Sequence, residues 1–331
     1  MENRMATVPF VSFVVPNLGN KIKIQSTLRS VFAQDYPKNK FEVIVVDGGS
    51  TPDVIEVIKS FPVRYYHNPK KFAEGPGMAK DQGCEYAKGD IICILESDVT
   101  LLQKDWIQEM VKPFIEDEEI FAAACRLGVL PTDSATNRYL SYVGVDPFVA
   151  NRSIEGCLAL DYLNGKLIKK EGYDVYYLDP ERPLCTGSNG FMVRKSVLEK
   201  IGGYIQDTEM VQHAVDNGFT KLAIPNKPTV RHHNVDSFNE FIKKRFGWIG
   251  YFRKHNYYAR DFDWVGPDGL FNFFLHTFKQ LSMVANVPVS VKKTVQTKDS
   301  AWLLHAPLTA LTTVIYVYST LISKDARKKV F

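Results

Sequence analysis

The chain has 331 residues, 45% apolar and 24% charged, with a formal net charge of +4. That composition builds one large core plus an appendage, excludes a disordered chain, and is too mildly basic to point to nucleic acid; no stretch joins a long basic block to regularly spaced aromatics. Five widely spaced cysteines without a C-x-x-C pair exclude a disulfide frame or a cysteine zinc site. Residues Met1 to Thr7 carry charges and no long apolar run, so a reducing, cytosolic setting without a secretory signal is expected.

Taken in chain order, Phe10 to Val15 reads as a buried strand closed by Pro16-Asn17, and Ile22 to Gln34 follows as a helix with Ile24, Leu28 and Val31 on one face. Phe41 to Val46 is a second strand ending at Asp47-Gly48-Gly49-Ser50, and Pro52 opens a helix carrying Val54, Ile55 and Ile58. A short strand at Val63 to Tyr66, a glycine-rich turn at Glu74 to Gly77, a helix from Met78 to Ala87 and a strand over Asp90 to Leu95 complete the alternation. This order predicts an α/β protein with a mostly parallel central sheet covered by helices on both faces. Ligands of such sheets bind beyond the carboxyl ends of the strands, where Pro16-Asn17, Asp47 and Glu96/Asp98 fall.

Glu96 and Asp98 end an otherwise apolar strand. Such a pair suits a divalent cation completed by diphosphate oxygens, Mg²⁺ or Mn²⁺, while an ordinary polar turn is the competing account.

The segments "VVPNLGN", "VVDGGST", "GPGMAKDQG", "ILESDV", "TGSNGFMVRKSVLEKIGGY" and "DTEMVQHAVDNGF", in that order, resemble the inverting family 2 glycosyltransferases of GT-A (Rossmann-like) fold over roughly the first 250 residues. The resemblance implies that Pro16 and Asn17 line a nucleotide pocket, Asp47 bonds the base, and Lys80 and Asp81 sit near the nucleotide. It implies Asp98 as a metal ligand, with His232, chosen over His233, as a second; a structural histidine is the alternative. Asp207 would be the general base that takes the acceptor proton, supported by Glu209, although Asp207 also suits a helix cap. Gly187, Ser188 and Asn189 would form a tight loop under the donor sugar, or an ordinary loop. Glu96, placed to accept a ribose hydroxyl, departs from the family's Asp; Asp81 departs from an amide and Gln206 from a Glu.

Residues 1–235 are expected to form the nucleotide-sugar-binding and catalytic domain, with 126–184 as an insertion shaping the acceptor cleft. Residues 236–331 then form a helical, membrane-associating region. There "FIKKRFGWIGYFRKHNYY" mixes cations and aromatics, and Arg245 and Trp248 would serve the diphosphate or acceptor, against a plain solvated basic face. Residues 302–323 carry no Lys, Arg, Asp or Glu and have the length of a span. A single crossing would separate the basic tail at 324–329 from a cytosolic catalytic domain, so either 268–290 forms a second, imperfect span interrupted by Lys279, or both segments lie in the interface at the cytoplasmic face or pack between subunits of a homo-oligomer; interfacial attachment or subunit packing is expected.

The resulting expectation is a metal-dependent transfer from a nucleotide sugar, UDP-linked, to a membrane-proximal saccharide or lipid-linked acceptor, with no nucleic-acid partner. A polyprenyl-phosphate sugar synthase and a catalytically silent nucleotide-sugar-binding scaffold are the alternatives.

Overall fold

The computed structural model describes residues 8–68, 76–163, 167–180, 184, 186–204, 207, 209–254 and 269–322. The chain divides into two compact units: residues 1–128 with 163–233, and residues 129–162 with 234–331. The segment 129–162, expected as part of the catalytic domain, therefore folds with the C-terminal helices.

The first unit holds all described strands: β1 (Val11–Asn17), β2 (Phe41–Asp47), β3 (Arg64–His67), β4 (Ile91–Ile94), β5 (Val99–Leu101), β6 (Ile120–Ala123), β7 (Arg126–Leu127), β8 (Leu167–Lys169), β9 (Tyr173–Tyr177), β10 (Phe191–Arg194), β11 (Lys221–Pro225) and β12 (Thr229–His232). Nine form one sheet in the order β3-β2-β1-β4-β10-β6-β11-β9-β8, and β5-β12-β7 form a small second sheet. Every residue of β1 and β4 is buried, as unbroken apolar strands covered on both faces must be.

β3, β2, β1 and β4 run parallel, the part of the sheet in which strands and helices alternate. Beyond β4 the sheet is mixed: β10 is antiparallel to β4 and β6, β11 is parallel to β6, and β9 and β8 finish antiparallel. This refines the expected mostly parallel sheet. β10 enters at the end where β4 leaves, so the loop before β10 lies beside the acidic turn after β4.

Helices α1 (Lys21–Phe32), α2 (Pro52–Lys59), α3 (Pro76–Tyr86) and α4 (Trp106–Glu116) surround the sheet, with α7 (Lys195–Ile201) and α8 (Met210–Asp216) after β10. Asn20 caps α1 by accepting the Lys23 N–H at 3.0 Å. The core runs through Phe13, Ile24, Val45, Cys93, Trp106 and Met192.

The second unit is helical: α5 (Ala135–Tyr142), α6 (Ile154–Ala159), α9 (Phe238–Lys254), α10 (Gly269–Leu281), α11 (Met283–Thr297) and α12 (His305–Ile322). Its core gathers Tyr139, Leu140, Phe241, Trp302 and Leu308. Trp302 stacks on Tyr142 with ring centroids 5.3 Å apart. Arg138 grips Asp299 through two bonds of 2.9 and 3.0 Å, and Asp299 also accepts the Tyr142 hydroxyl at 2.8 Å. Among the described residues Ser300–Ser319 is one helix long and apolar enough to cross a membrane, with half of it buried inside the protein.

Candidate active site

The parallel register of β1 and β2 sets Asn17 beside Asp47 at the strand ends. Asp47 is fully buried and accepts from the Asn17 amide at 2.8 Å, the Gly49 and Ser50 N–H groups at 3.1 and 2.9 Å, and the Tyr65 hydroxyl at 3.3 Å. Burial alone would raise its pKa, but these donors, Ser50 foremost, hold it below the usual carboxylate range. These donors hold the Asp47 carboxylate in its own turn at the end of β2. Pro16 and Asn17 are likewise buried and shape the turn from beneath.

A buried cation joins the two acidic segments. Lys80 on α3, 1% exposed, donates to both oxygens of Asp207 at 2.6 and 2.7 Å and forms a short ion pair with Glu96. Burial would lower the Lys80 pKa, yet the Asp207 and Glu96 carboxylates raise it, so the amine stays charged. Glu96 is shifted upward, first by burial and then by its carboxylate neighbours, with Lys80 opposing. The trio carries one negative charge more than positive. Asp207 therefore does not cap α8: the N-cap position is Glu209, without a side-chain cap bond, while the Asp207 oxygens turn to Lys80. Asp81 points elsewhere, accepting the Tyr204 N–H at 2.8 Å, and at Gly203 (φ +106°) a Cβ would sit 2.7 Å from that carboxylate.

The small sheet builds the second pair. β12 runs antiparallel to β5 with His232 opposite Val99, and the His233 N–H donates to the Asp98 carbonyl at 3.0 Å. His232 Nε2 thereby lies 3.3 Å from Asp98 Oδ1. Adjacent ligands on an octahedral ion with bonds of about 2.1 Å stand about 3 Å apart, so this nitrogen and oxygen suit two neighbouring positions on a divalent cation. No group of three or more His, Cys, Asp or Glu residues suited to a metal occurs among the described residues. Lys23, on the first turn of α1, reaches to 3.8 Å of Asp98 and donates to the His233 carbonyl at 2.7 Å.

Gly187, Ser188 and Asn189 lead into β10 beside the acidic turn, with the Gly190 N–H bonded to the Ile94 carbonyl at 2.8 Å. Gly187 has φ +151°, and a Cβ there would lie 2.8 Å from the Asp207 carbonyl oxygen. The Gly187 carbonyl accepts the Tyr204 hydroxyl at 2.6 Å, and the same hydroxyl contacts Asp207 Oδ1. Tyr204 and Lys23 were not singled out from the sequence. The "GGY" turn three residues before Asp207 was the available signal for Tyr204; nothing local marks Lys23.

Three further expected residues sit at the start of α8 and on α9. Glu209 is buried at the N-cap position of α8, 1% exposed. Arg245, in the second unit, spends its guanidinium on Asp146 at 2.9 Å, the Tyr316 hydroxyl at 3.2 Å and the Val145 carbonyl, a buried internal tie. The Trp248 side chain lies outside the described residues.

Comparison with known proteins places this fold in a family. The model for the family described as Glycosyl transferase family 2 matches residues 12–202. Glycosyltransferase AglE of Haloferax volcanii is 33% identical over 255 residues, 73% of this chain and 72% of AglE. The chain belongs to glycosyl transferase family 2. A GalNAc(5)-diNAcBac-PP-undecaprenol β-1,3-glucosyltransferase of Campylobacter jejuni is 26% identical over 100 residues, 29% of this chain and 31% of that protein. Other curated relatives are longer, this chain spanning 49% and 36% of two of them. Among solved structures, the mannosyltransferase PcManGT of Pyrobaculum calidifontis, in complex with GDP-Man and Mn²⁺, has the same fold at TM-score 0.57 and 16% identity, over 98% of this chain and 88% of that one.

Proposed function

We propose that this glycosyltransferase moves a sugar, with inversion, from a nucleotide sugar, UDP-linked, to a membrane-proximal acceptor such as a lipid-linked saccharide, at the cytoplasmic face of a membrane and with Mn²⁺ or Mg²⁺. The observation that carries the metal is the approach of Asp98 and His232 within one strand-end crevice. A surplus of negative charge on Lys80, Glu96 and Asp207 points the same way, because an anionic diphosphate beside it calls for a cation. PcManGT in complex with GDP-Man and Mn²⁺, and the undecaprenol-linked saccharide in the name of the Campylobacter relative, support the donor class and the acceptor class.

In this reading Asp98 and His232 would hold a divalent cation, which would supply charge stabilisation for the leaving diphosphate. The acceptor oxygen attacks the anomeric carbon opposite the breaking bond, and its proton passes to Asp207, whose side chain is 37% exposed. Lys80 holds that carboxylate in place. Glu96 accepts a ribose hydroxyl, and Gly187, Ser188 and Asn189 lie under the sugar.

Isothermal titration with UDP and with GDP, each with Mn²⁺ and then with chelator, tests the reading. Binding of one nucleotide that needs the metal and weakens at least tenfold in Asp98→Asn is expected; nucleotide binding indifferent to both chelator and Asp98→Asn overturns the metal assignment.

A further inference from the structure

Helices α10 and α11 present an apolar stripe that no described part of the protein covers. On α10, Phe271 and Phe278 stand seven residues apart, and on α11 Val284, Val287 and Val291 recur at spacings of three and four, so each set shares one face of its helix. Their exposure is large: 74% for Phe271, 70% for Phe278 and 84% for Val284.

The opposite faces are anchored in the second unit. The His276 ring meets Phe148 edge-on at 5.1 Å and its Nε2–H donates to the Phe148 carbonyl at 3.2 Å, while buried Ser290 accepts the Ala306 N–H at 3.2 Å. The stripe is thus the outward face of seated helices. A soluble surface rarely carries so many large apolar side chains together without a partner.

Length and charge select the partner. At 13 and 15 residues, with Pro288 inside the second, neither helix reaches the about 20 residues a span requires. Residues 269–298 contain Lys279, Lys292, Lys293 and Lys298 and no Asp or Glu. Lys293 is tied to Asp161 at 3.1 Å, but Lys279 and Lys292 are exposed. A second copy of this face would bring like charges together with no carboxylate on it to answer them, whereas an anionic lipid surface accepts the apolar stripe and the lysines at once.

From this we infer that α10 and α11 lie in the plane of an anionic bilayer, phenylalanines and valines seated at the headgroup boundary and lysines against lipid phosphates. The inference deepens the membrane-proximal reading above by naming the surface that would do the docking.

Flotation of the full chain with phosphatidylcholine vesicles, with and without phosphatidylglycerol, is the test. Wild type should float with the anionic vesicles and be released by high salt. Phe278→Asp with Val284→Asp should reduce the floated fraction at least tenfold while circular dichroism is unchanged. Should that variant fold poorly, Lys279→Glu with Lys292→Glu replaces it and should lose the preference for anionic lipid. Wild type that stays in solution, binding that neither variant changes, or a sedimenting dimer that Phe278→Asp dissolves would overturn the inference, the last assigning the stripe to a subunit contact. Nucleotide titration without vesicles reads the transfer function separately: a chain that floats yet binds no nucleotide keeps the surface and loses the enzyme reading, and the reverse result does the opposite.

Discussion

Each of the two units buries a cation, and they do so with different arithmetic. In the helical unit Arg245 meets one carboxylate, Asp146, and completes its bonding with the neutral Tyr316 hydroxyl and a backbone carbonyl. In the sheet unit Lys80 serves two carboxylates, Glu96 and Asp207. The first arrangement is neutral and closed. The second keeps a surplus negative charge and two partly exposed acids, 24% and 37% of their side chains. A balanced buried pair fastens helices; an unbalanced one at strand ends is what marks a candidate binding site.

The sharpest way to break this contrast is to remove both cations in turn. Lys80→Met strands two carboxylates and should cost about 3–5 kcal/mol in urea unfolding, together with all transfer, while Arg245→Met strands one and should cost less. Equal losses would dissolve the distinction. Next, Asp207→Asn should lower transfer by about 10²- to 10⁴-fold with donor affinity within twofold, because only proton acceptance is lost. A drop in donor affinity as large as the drop in rate would move Asp207 from the acceptor to the donor side.

A pH series separates the units by another route. Burial pushes His305 down to about 4 from its ordinary 6.5, so the folded form holds it neutral, with the Tyr139 hydroxyl 3.0 Å from its Nδ1. The unfolded chain takes up the proton first as pH falls, so stability is full above about pH 6.5 and declines toward pH 4, by about 3 kcal/mol at most. Urea midpoints of wild type and His305→Phe across that window should diverge; parallel curves would show that His305 does not drive the acid loss. The smallest effect expected is Glu96→Gln, which removes the surplus charge and should raise stability by up to about 1 kcal/mol while weakening donor binding. A destabilised Glu96→Gln would mean that Lys80 needs both partners.

The parallel half of the sheet was legible because its strands are unbroken apolar runs and its helices keep a regular face, signals that reside within short windows. The same holds for the acidic strand end at Glu96 and Asp98. Beyond β4 the order of strands depends on pairings between distant segments, such as β11 with β9 and β12 with β5, which no local pattern records. Asp98 and His232 were chosen through family resemblance and meet only because β12 folds back on β5. Arg245 shows the same limit: its basic-aromatic stretch does not record the pairing with Asp146, which tertiary structure makes. The tie between Lys80 and Asp207, 127 positions apart, was likewise invisible.

The Tyr204 hydroxyl has a consequence of its own. It owns a single proton and stands within reach of two acceptors, the Gly187 carbonyl and Asp207 Oδ1. Serving one deprives the other, so a rotation about one C–O bond decides which of the two receives the hydrogen bond. The loop before β10 and the carboxylate of Asp207 are thus joined through a single hydroxyl, and whatever moves one of them frees that proton for the other.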